Sequence, residues 1–429
     1  MPRSTLVFTF AITAALAGAA AAQTPQALTL AQAEQTALAN HPQIQAAQSS
    51  ALAAREIVRE ARAAYFPTAF GSVTGAGAEN GSRIAAGGLN NPIIYDRFAG
   101  GIAFGQLLAD FGRTHALVDS SSLNAQAQEQ SVSGQRAVVL FEVDRAYYGA
   151  LRAQAVERVA GATVDARQLV VNQVSALAAA NLRSGLDVGF ARVNLSTAQL
   201  LLVQAQNDTE RAFASLAAAL GGRSISTYAL AEEPLPAAPP ADSAPLVADA
   251  FRQRPDVIAA RFGAESAARF ADAEGDLARP SLAAVGAAGL TPYHQTGIND
   301  QYAAAAVNVN VPILNGGLFA ARHAEAALRA RAQRERVREL ENQVARDVQI
   351  AWLNARTAFQ RLDLTSQLLD QARQTLDLAQ ARYNLGLGSI VELNQAQLNQ
   401  TQAELEAASA RYDYQVQVAA LAFATGSRR

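Results

Sequence analysis

The fold is decided by the sequence Ala381-Arg-Tyr-Asn-Leu-Gly-Leu-Gly-Ser-Ile-Val-Glu392, a glycine turn that ends a long helical pattern. The pattern begins near Ala320 and contains no proline before the turn. Read as one helix from Ala320 to Leu385, it covers about 66 residues, or roughly 100 Å at about 1.5 Å per residue. An average helix has about 11 residues, so a helix of this length indicates that the protein must span a long distance.

Apolar and small residues repeat at every seventh position on both sides of the turn. The first helix carries Leu362, Leu369, Leu376 and Tyr383, with Thr365, Ala372 and Ala379 between them. The second helix carries Val391, Leu398, Leu405 and Tyr412, with Asn394, Thr401 and Ala408 between them. Small residues at every second core position suit close helix packing. The pattern predicts an antiparallel hairpin whose tip is Asn384 to Ser389.

The composition is that of an ordered protein without a polyanionic partner. Of 429 residues, 50% are hydrophobic and 17% charged, and the net charge is −2, so nucleic acid is not expected to bind. Arg3, the apolar run from Leu6 to Leu16 and Ala20-Ala-Ala22 together predict a secretory signal peptide over residues 1–22. No cysteine is present, which excludes disulfides and lipid attachment through cysteine.

After the signal, no apolar run reaches the 18 residues that a transmembrane helix needs. A secreted chain without such a run can still be integral to a membrane as a β-barrel.

The chain is a tandem duplication. His41-Pro42 and Pro67 recur 213 residues later as Arg254-Pro255 and Pro280. Further on the offset is 205 residues, and it relates Ser184 to Ser389 and Asp187 to Glu392. A constant offset over about 80 residues indicates a repeat. We expect a first repeat at 23–222, a Pro-rich linker at 223–245 and a second repeat at 246–429.

Each repeat is predicted to contain the same helices in the same order. A short helix leads to a helix that begins at proline, and a long helix and a shorter one follow a pair of strands. The expected short and proline-started helices are Leu30–Asn40, Pro42–Tyr65, Leu246–Arg254 and Pro255–Ala278. The helices expected after each glycine turn are Leu186–Leu220 and Ile390–Thr425.

Two strands per repeat are expected, at about 68–78, 98–108, 281–290 and 302–313. Val307-Asn-Val-Asn-Val-Pro-Ile313 alternates between branched apolar residues and Asn or Pro, which is typical of a strand. Each strand has about ten residues, enough to span a bilayer when tilted. A soluble hairpin with one wet face is the alternative. Four strands cannot close a barrel, for which about eight are needed, so strands in a membrane require several chains, and three would give twelve.

These features resemble the TolC family of outer-membrane efflux channels from about Ala27 to Gly426. The duplicated plan, the Pro-ended helices before each hairpin, Asn315-Gly-Gly317 and the tip sequence 381–392 carry the resemblance. It implies an α+β membrane protein, a homotrimer with a twelve-stranded β-barrel in outer-membrane lipid and a twelve-helix α-barrel in the periplasm. It also implies two partners, a periplasmic adaptor protein and an inner-membrane pump of the RND or ABC type.

The resemblance further implies that the helical tips form a gated pore entrance. Tyr383 stands at the family's Tyr position and Asp187 and Glu392 at acidic positions. Gly388 stands where some members have Arg, and Gln395 where some have Asp. The expected adaptor-docking residues are Ser184, Gly185, Leu385, Gly386, Gly388 and Ser389. A simpler interpretation makes both carboxylates helix-start residues, Tyr383 a heptad core residue, and the Ser and Gly residues turns and caps.

An enzyme is not expected, and neither is a cofactor or a metal. His41, His115, His294 and His323 are scattered without a second ligand at metal spacing, and no nucleophile or phosphate-binding motif is present. The favoured function is a passive exit duct of a tripartite efflux system. Two alternatives stay open: the outer-membrane component of type I protein secretion, and a periplasmic coiled-coil scaffold without a pore.

Overall fold

The computed structural model describes residues 27–79, 81–83, 95–222, 229–294 and 299–428. The predicted signal peptide at 1–22 lies outside the described residues, as do positions 223–228 of the predicted linker and most of the loop predicted between Glu79 and Asp96. Within the described ranges, no helix is both long and apolar enough to cross a lipid bilayer.

The two halves contain matching elements in the same order. The first half comprises α1 (Leu30–Asn40), α2 (Pro42–Ala63), β1 (Thr68–Ala76), β2 (Arg97–Ala109), α3 (Arg113–Ala179) and α4 (Gly185–Ala219). The second half comprises α5 (Ala244–Gln253), α6 (Pro255–Gly275), β3 (Ser281–His294), β4 (Gln301–Asn310), α7 (Leu318–Asn384) and α8 (Ile390–Thr425).

The long predicted helix is a single element, since α7 has 67 residues without a break. Its predicted partner, α8, begins and ends at the expected residues. The last strand ends at Asn310, although it was expected to reach Ile313. Pro312 explains the difference, because proline cannot donate to a strand ladder and is disfavoured inside one.

The four strands form one antiparallel sheet in chain order, β1-β2-β3-β4. In its register Ile102 lies opposite Ala288, and Ala284 lies opposite Val307. Residues directly opposite one another share a face. One face, the apolar face, therefore carries Val73, Ile102, Phe104, Leu290, Val307 and Val309. The other, the small-residue face, is mostly Gly and Ala, and it also carries Thr68, Phe70, Ser72, Thr74, Arg97, Leu107, Val285, Tyr302, Asn308 and Asn310.

The helices form two layers that continue the sheet. In the layer next to the sheet, α2 packs on α3, α3 on α6, and α6 on α7. In the layer far from the sheet, α4 packs on α3, α3 on α8, and α8 on α7. Helix α7 forms one edge of both layers. The opposite edge is α2 in the layer next to the sheet and α4 in the layer far from it. The same two sides are open in the sheet, because β1 follows α2 and β4 precedes α7.

Residues 229–243, here called the strap, are held by aromatic side chains from both repeats. The Tyr147 hydroxyl donates to the carbonyls of Leu28 and Ala231 at 2.8 and 2.6 Å. Trp352, which is the equivalent of Tyr147 at the offset of 205, donates its indole N–H to Pro240 O at 2.8 Å. Burial raises the pKa of Tyr147 to about 12. The strap therefore connects the two halves, because it is bonded near the middle of α3 and near the middle of α7.

Candidate functional site

The two helical tips lie together at the end of the molecule far from the sheet. The first tip (residues 180–187) joins α3 to α4, and the second tip (residues 385–392) joins α7 to α8. A small apolar core unites them; it contains Val171, Val174, Ala191, Ala379, Tyr383, Ile390, Leu393 and Ala396. The core includes Tyr383, one of the predicted entrance residues, and it joins helices of both repeats.

The first tip is a tight turn closed by a serine cap. Asn181 adopts a positive φ of 58°, a conformation that asparagine tolerates better than most residues. The Ser184 hydroxyl oxygen accepts from the Asp187 backbone N–H at 3.3 Å, and its O–H points to Asp187 Oδ1 at 3.2 Å. Asp187 thus lies in the first turn of α4, where a helix favours an anion.

The second tip repeats this design with glycine in place of asparagine. Gly386 has a φ of 77°, and the N–H groups of Leu387 and Gly388 donate to Arg382 O at 2.9 and 3.1 Å. The Ser389 hydroxyl oxygen accepts from the Glu392 N–H at 3.1 Å. Local turn and cap geometry therefore accounts for Gly386 and Ser389.

Tyr383 is the centre of the contact between the tips. Its side chain is only 2% exposed, and the Arg183 guanidinium lies 4.3 Å from its ring centroid. Arg183 also donates a hydrogen bond to Tyr383 O. Burial raises the pKa of Tyr383, and the charge of Asp187 adds to this while Arg183 opposes it. The buried Tyr383 hydroxyl has no hydrogen-bond partner among the described residues.

Asp187 and Glu392 are equivalent in sequence but not in surroundings. Glu392 Oε1 accepts from Arg382 Nε at 3.1 Å, and Arg382 also donates to Leu387 O. Asp187 has no cation partner among the described residues, and its carboxylate is bonded by Ser184. Gln395 donates to Asn399 Oδ1 at 2.9 Å along the exposed side of α8. In the part of the chain that the structure describes, Glu392 is paired with an arginine and Asp187 is not.

Sequence reasoning missed Arg183 and Arg382, the two cations of the tips. A signal for Arg183 was present, because the repeat offset of 205 makes it the equivalent of Gly388, the position where some members of the family have arginine. A Cβ at Gly388 would lie 3.2 Å from Arg382 Cβ, so this position is already crowded. The arginine that approaches Tyr383 is supplied by the first repeat.

Both tips present apolar side chains to solvent. Leu182 and Leu186 are each 68% exposed, and Leu385 and Leu387 are 73% and 69% exposed. These four leucines all lie at the end of the molecule far from the sheet.

His41 has a structural role. Its Nδ1 atom accepts from the Gln43 N–H at 3.3 Å and caps the start of α2. Within the described ranges, no group of three or more His, Asp or Glu residues could hold a metal ion.

Comparison with known proteins agrees with this architecture. The sequence pattern of the family described as Outer membrane efflux protein matches residues 33–222 and 246–427. Protein CyaE of Bordetella pertussis is 26% identical over 352 residues, which cover 79% of this chain and 71% of CyaE.

Solved structures share the fold at low sequence identity. The outer membrane protein VceC of Vibrio cholerae has a TM-score of 0.78 at 19% identity, covering 92% of this chain and 96% of that one. The open state of the Neisseria gonorrhoeae MtrE outer membrane channel has a TM-score of 0.77 at 21% identity, covering 92% and 88%. The chain belongs to the outer membrane efflux protein family, whose members are outer-membrane channels of efflux systems.

Proposed function

We propose that three copies of this chain close into one hollow duct through which substrates leave the cell passively. The observation that carries the proposal is the pair of open edges, since the sheet and both helical layers end on the same two sides. Each unpaired backbone group in lipid costs several kcal/mol. Joining β4 of one copy to β1 of the next removes these edges, and such head-to-tail contacts generate closed rings.

Three copies supply twelve strands, more than the roughly eight that a barrel needs. The apolar face of the sheet, with Ile102, Phe104 and Val307, suits contact with lipid acyl chains. The small-residue face suits a wet lumen, as transmembrane barrels alternate apolar outward and polar inward. This division of faces supports a barrel in the outer membrane.

The helices would continue the barrel as a twelve-helix tunnel in the periplasm. Each copy contributes four helices to either layer, and α3 and α7, at 67 residues each, reach roughly 100 Å. A duct of this kind has no energy source of its own. We propose that a periplasmic adaptor and an inner-membrane pump of the RND or ABC type supply the drive.

The proposed entrance consists of Asp187, Tyr383, Glu392 and Gln395, repeated around the axis. Among the described residues no arginine pairs with Asp187, so this carboxylate contributes most to an acidic ring. We expect the purified protein to conduct in planar bilayers with a preference for cations. Asp187→Ala should reduce that preference by more than Glu392→Ala, whose parent carboxylate is paired with Arg382. Equal cation preference in wild type and Asp187→Ala would reject the ring.

The proposed adaptor-docking surface comprises Ser184, Gly185, Leu385, Gly386, Gly388 and Ser389. Leu385 is the exposed apolar anchor of this set. A Leu385→Glu variant should keep its trimer but lose at least tenfold in drug resistance, because the new carboxylate would have to lose its hydration where the adaptor docks. Ala332→Glu, at an exposed position of α7 remote from the tips, is the control. Normal export by the tip variant would exclude docking here.

A strain that lacks this chain distinguishes the alternative functions. A small-molecule duct predicts dye accumulation when the chain is deleted, whereas type I secretion predicts loss of an extracellular protein. A periplasmic scaffold predicts extraction without detergent and no conductance.

A further inference from the structure

The strap is an extended segment with a period of three residues. Between Ala231 and Pro240 it contains four prolines, and it has neither helix nor strand there. The side chains of Glu233, Pro236 and Pro239 are half-buried, and the residues between them are exposed. A polyproline II helix has three residues per turn and no internal hydrogen bonds. When such a helix lies on a surface, one residue in three faces that surface.

The bonded backbone carbonyls of the strap follow the same period. Aromatic side chains donate to the carbonyls of Ala231, Ala237 and Pro240, which are six and three residues apart. The side-chain amide of Gln415 lies 3.5 Å from the carbonyl oxygen of Pro234, the missing member of this series, and 3.2 Å from the carbonyl oxygen before it. These carbonyls therefore lie on one side of the strap, the side that faces the helices.

The aromatic donors are buried and come from both repeats. Tyr147 belongs to α3 of the first repeat, whereas Trp352 belongs to α7 and Tyr414 to α8 of the second. Tyr147 and Tyr414 are completely buried, and Trp352 is 9% exposed. A buried donor that loses its acceptor is destabilising. These three residues and Gln415, here called the donor groove, thus bind the backbone of the strap rather than its side chains.

The strap connects equivalent points of the two repeats. Tyr147 and Trp352 are related by the offset of 205 residues, and their acceptors, the carbonyls of Ala231 and Pro240, are nine residues apart. Nine residues of polyproline II make three turns, or about 28 Å at about 3.1 Å per residue. Because a proline-rich segment of this kind is semi-rigid, it holds its two ends at one separation, which a flexible linker does not.

We propose that the strap is a polyproline II spacer, bound through its carbonyls in the donor groove, which sets the distance between α3 and α7 at the middle of both helices. In the proposed ring, three such spacers would surround the tunnel and fix its width at that height. The statement about tunnel width rests on the proposed duct, whereas the statement about the distance between α3 and α7 concerns a single chain.

Ala237 and Ala238 test the conformation of the strap. Both are exposed, and in the described part of the chain the N–H groups of residues 232–240 donate to no backbone carbonyl. Proline fits polyproline II, so Ala237→Pro/Ala238→Pro should keep or raise the melting temperature. Ala237→Gly/Ala238→Gly should lower it by about 3 °C, because glycine has more conformational freedom to lose. A proline variant less stable than wild type, or a glycine variant as stable as the proline variant, would overturn the conformation.

Trp352 is the only tryptophan in the chain, so its fluorescence reports whether the strap occupies the donor groove. Deleting residues 236–238 keeps the carbonyl period but shortens the strap by one turn, or about 9 Å. The emission of Trp352 should then shift to longer wavelength, and acrylamide should quench it more strongly, because the shortened strap no longer reaches the indole. Inserting Gly-Ser-Gly after Pro240 is the matched control, since every acceptor stays in place, and its emission should equal that of wild type.

Single-channel recording in planar bilayers tests the width of the tunnel. The deletion should broaden the distribution of conductance, because α3 and α7 are no longer held at one distance, and the insertion should leave the distribution narrow. Wild-type emission in the deletion variant would overturn the spacer. Exposed Trp352 with a narrow distribution would overturn only the role in tunnel width. A monomeric wild type whose variants change the emission as expected would remove the duct but leave the spacer standing.

Discussion

Replacing Arg428 with methionine is expected to lower the free energy of unfolding by about 3–5 kcal/mol, which is the cost of leaving one member of a buried ion pair without its partner. Asp144 of α3 is completely buried. Arg428 donates from Nε to Asp144 Oδ2 at 2.9 Å, and it also pairs with Glu34 of α1. Burial raises the pKa of Glu34, and the charge of Arg428 opposes that rise. Arg428 thus links the end of the second repeat to two helices of the first.

Two further variants separate this explanation from a general loss of packing. Arg428→Met/Asp144→Asn removes the stranded charge and should recover at least half of the lost stability. Arg346→Met removes an exposed arginine that pairs with its neighbour Asp347, and it should cost less than about 1 kcal/mol. The readout is loss of helical circular dichroism on denaturation in detergent. An Arg428→Met protein as stable as Arg346→Met would show that Asp144 needs no partner.

The helices were predictable because their determinants are local. Heptad spacing, the absence of proline and the Gly-Ser turn define α7 and α8 without reference to other elements. Prolines 42 and 255 start α2 and α6 for a reason that can also be read from the sequence, since proline tolerates the first helical turn. The repeat offset then carries each of these assignments from one half of the chain to the other.

The contacts that join the halves were not predictable, because nothing local announces them. Arg428 meets Asp144 across 284 positions, and Trp352 meets Pro240 across 112. The position of Arg183 can be identified from the repeat, but its contact with Tyr383 cannot. That contact depends on how the α3–α4 hairpin packs against the α7–α8 hairpin, which occurs through α3 and α8. The sequence shows that the strands are rich in glycine, but it does not show which glycines are in close contact with a neighbouring strand.

Tyr302 covers two of those glycines on the small-residue face of the sheet. A Cβ at Gly289 would lie 2.5 Å from the Tyr302 hydroxyl oxygen, and a Cβ at Gly101 would lie 2.2 Å from it. The Gly101 Cβ would also lie 2.7 Å from Ala288 O, a backbone atom of the adjacent strand. The tyrosine ring can rotate away, but the strand can move only if its ladder of hydrogen bonds to β2 is disturbed.

Gly101→Ala is therefore expected to destabilise the sheet by about 3 kcal/mol, at the upper end of overpacking effects, and to deplete trimers that dissociate only on heating from the outer-membrane fraction. Gly105→Ala is the matched control, because it lies on the same strand and face and its Cβ would meet only Thr68 Oγ1 at 3.6 Å. Gly101→Ala/Tyr302→Ala should stay defective, since the overlap with Ala288 O persists. Full recovery in that double variant would instead make the ring of Tyr302 the sole obstacle.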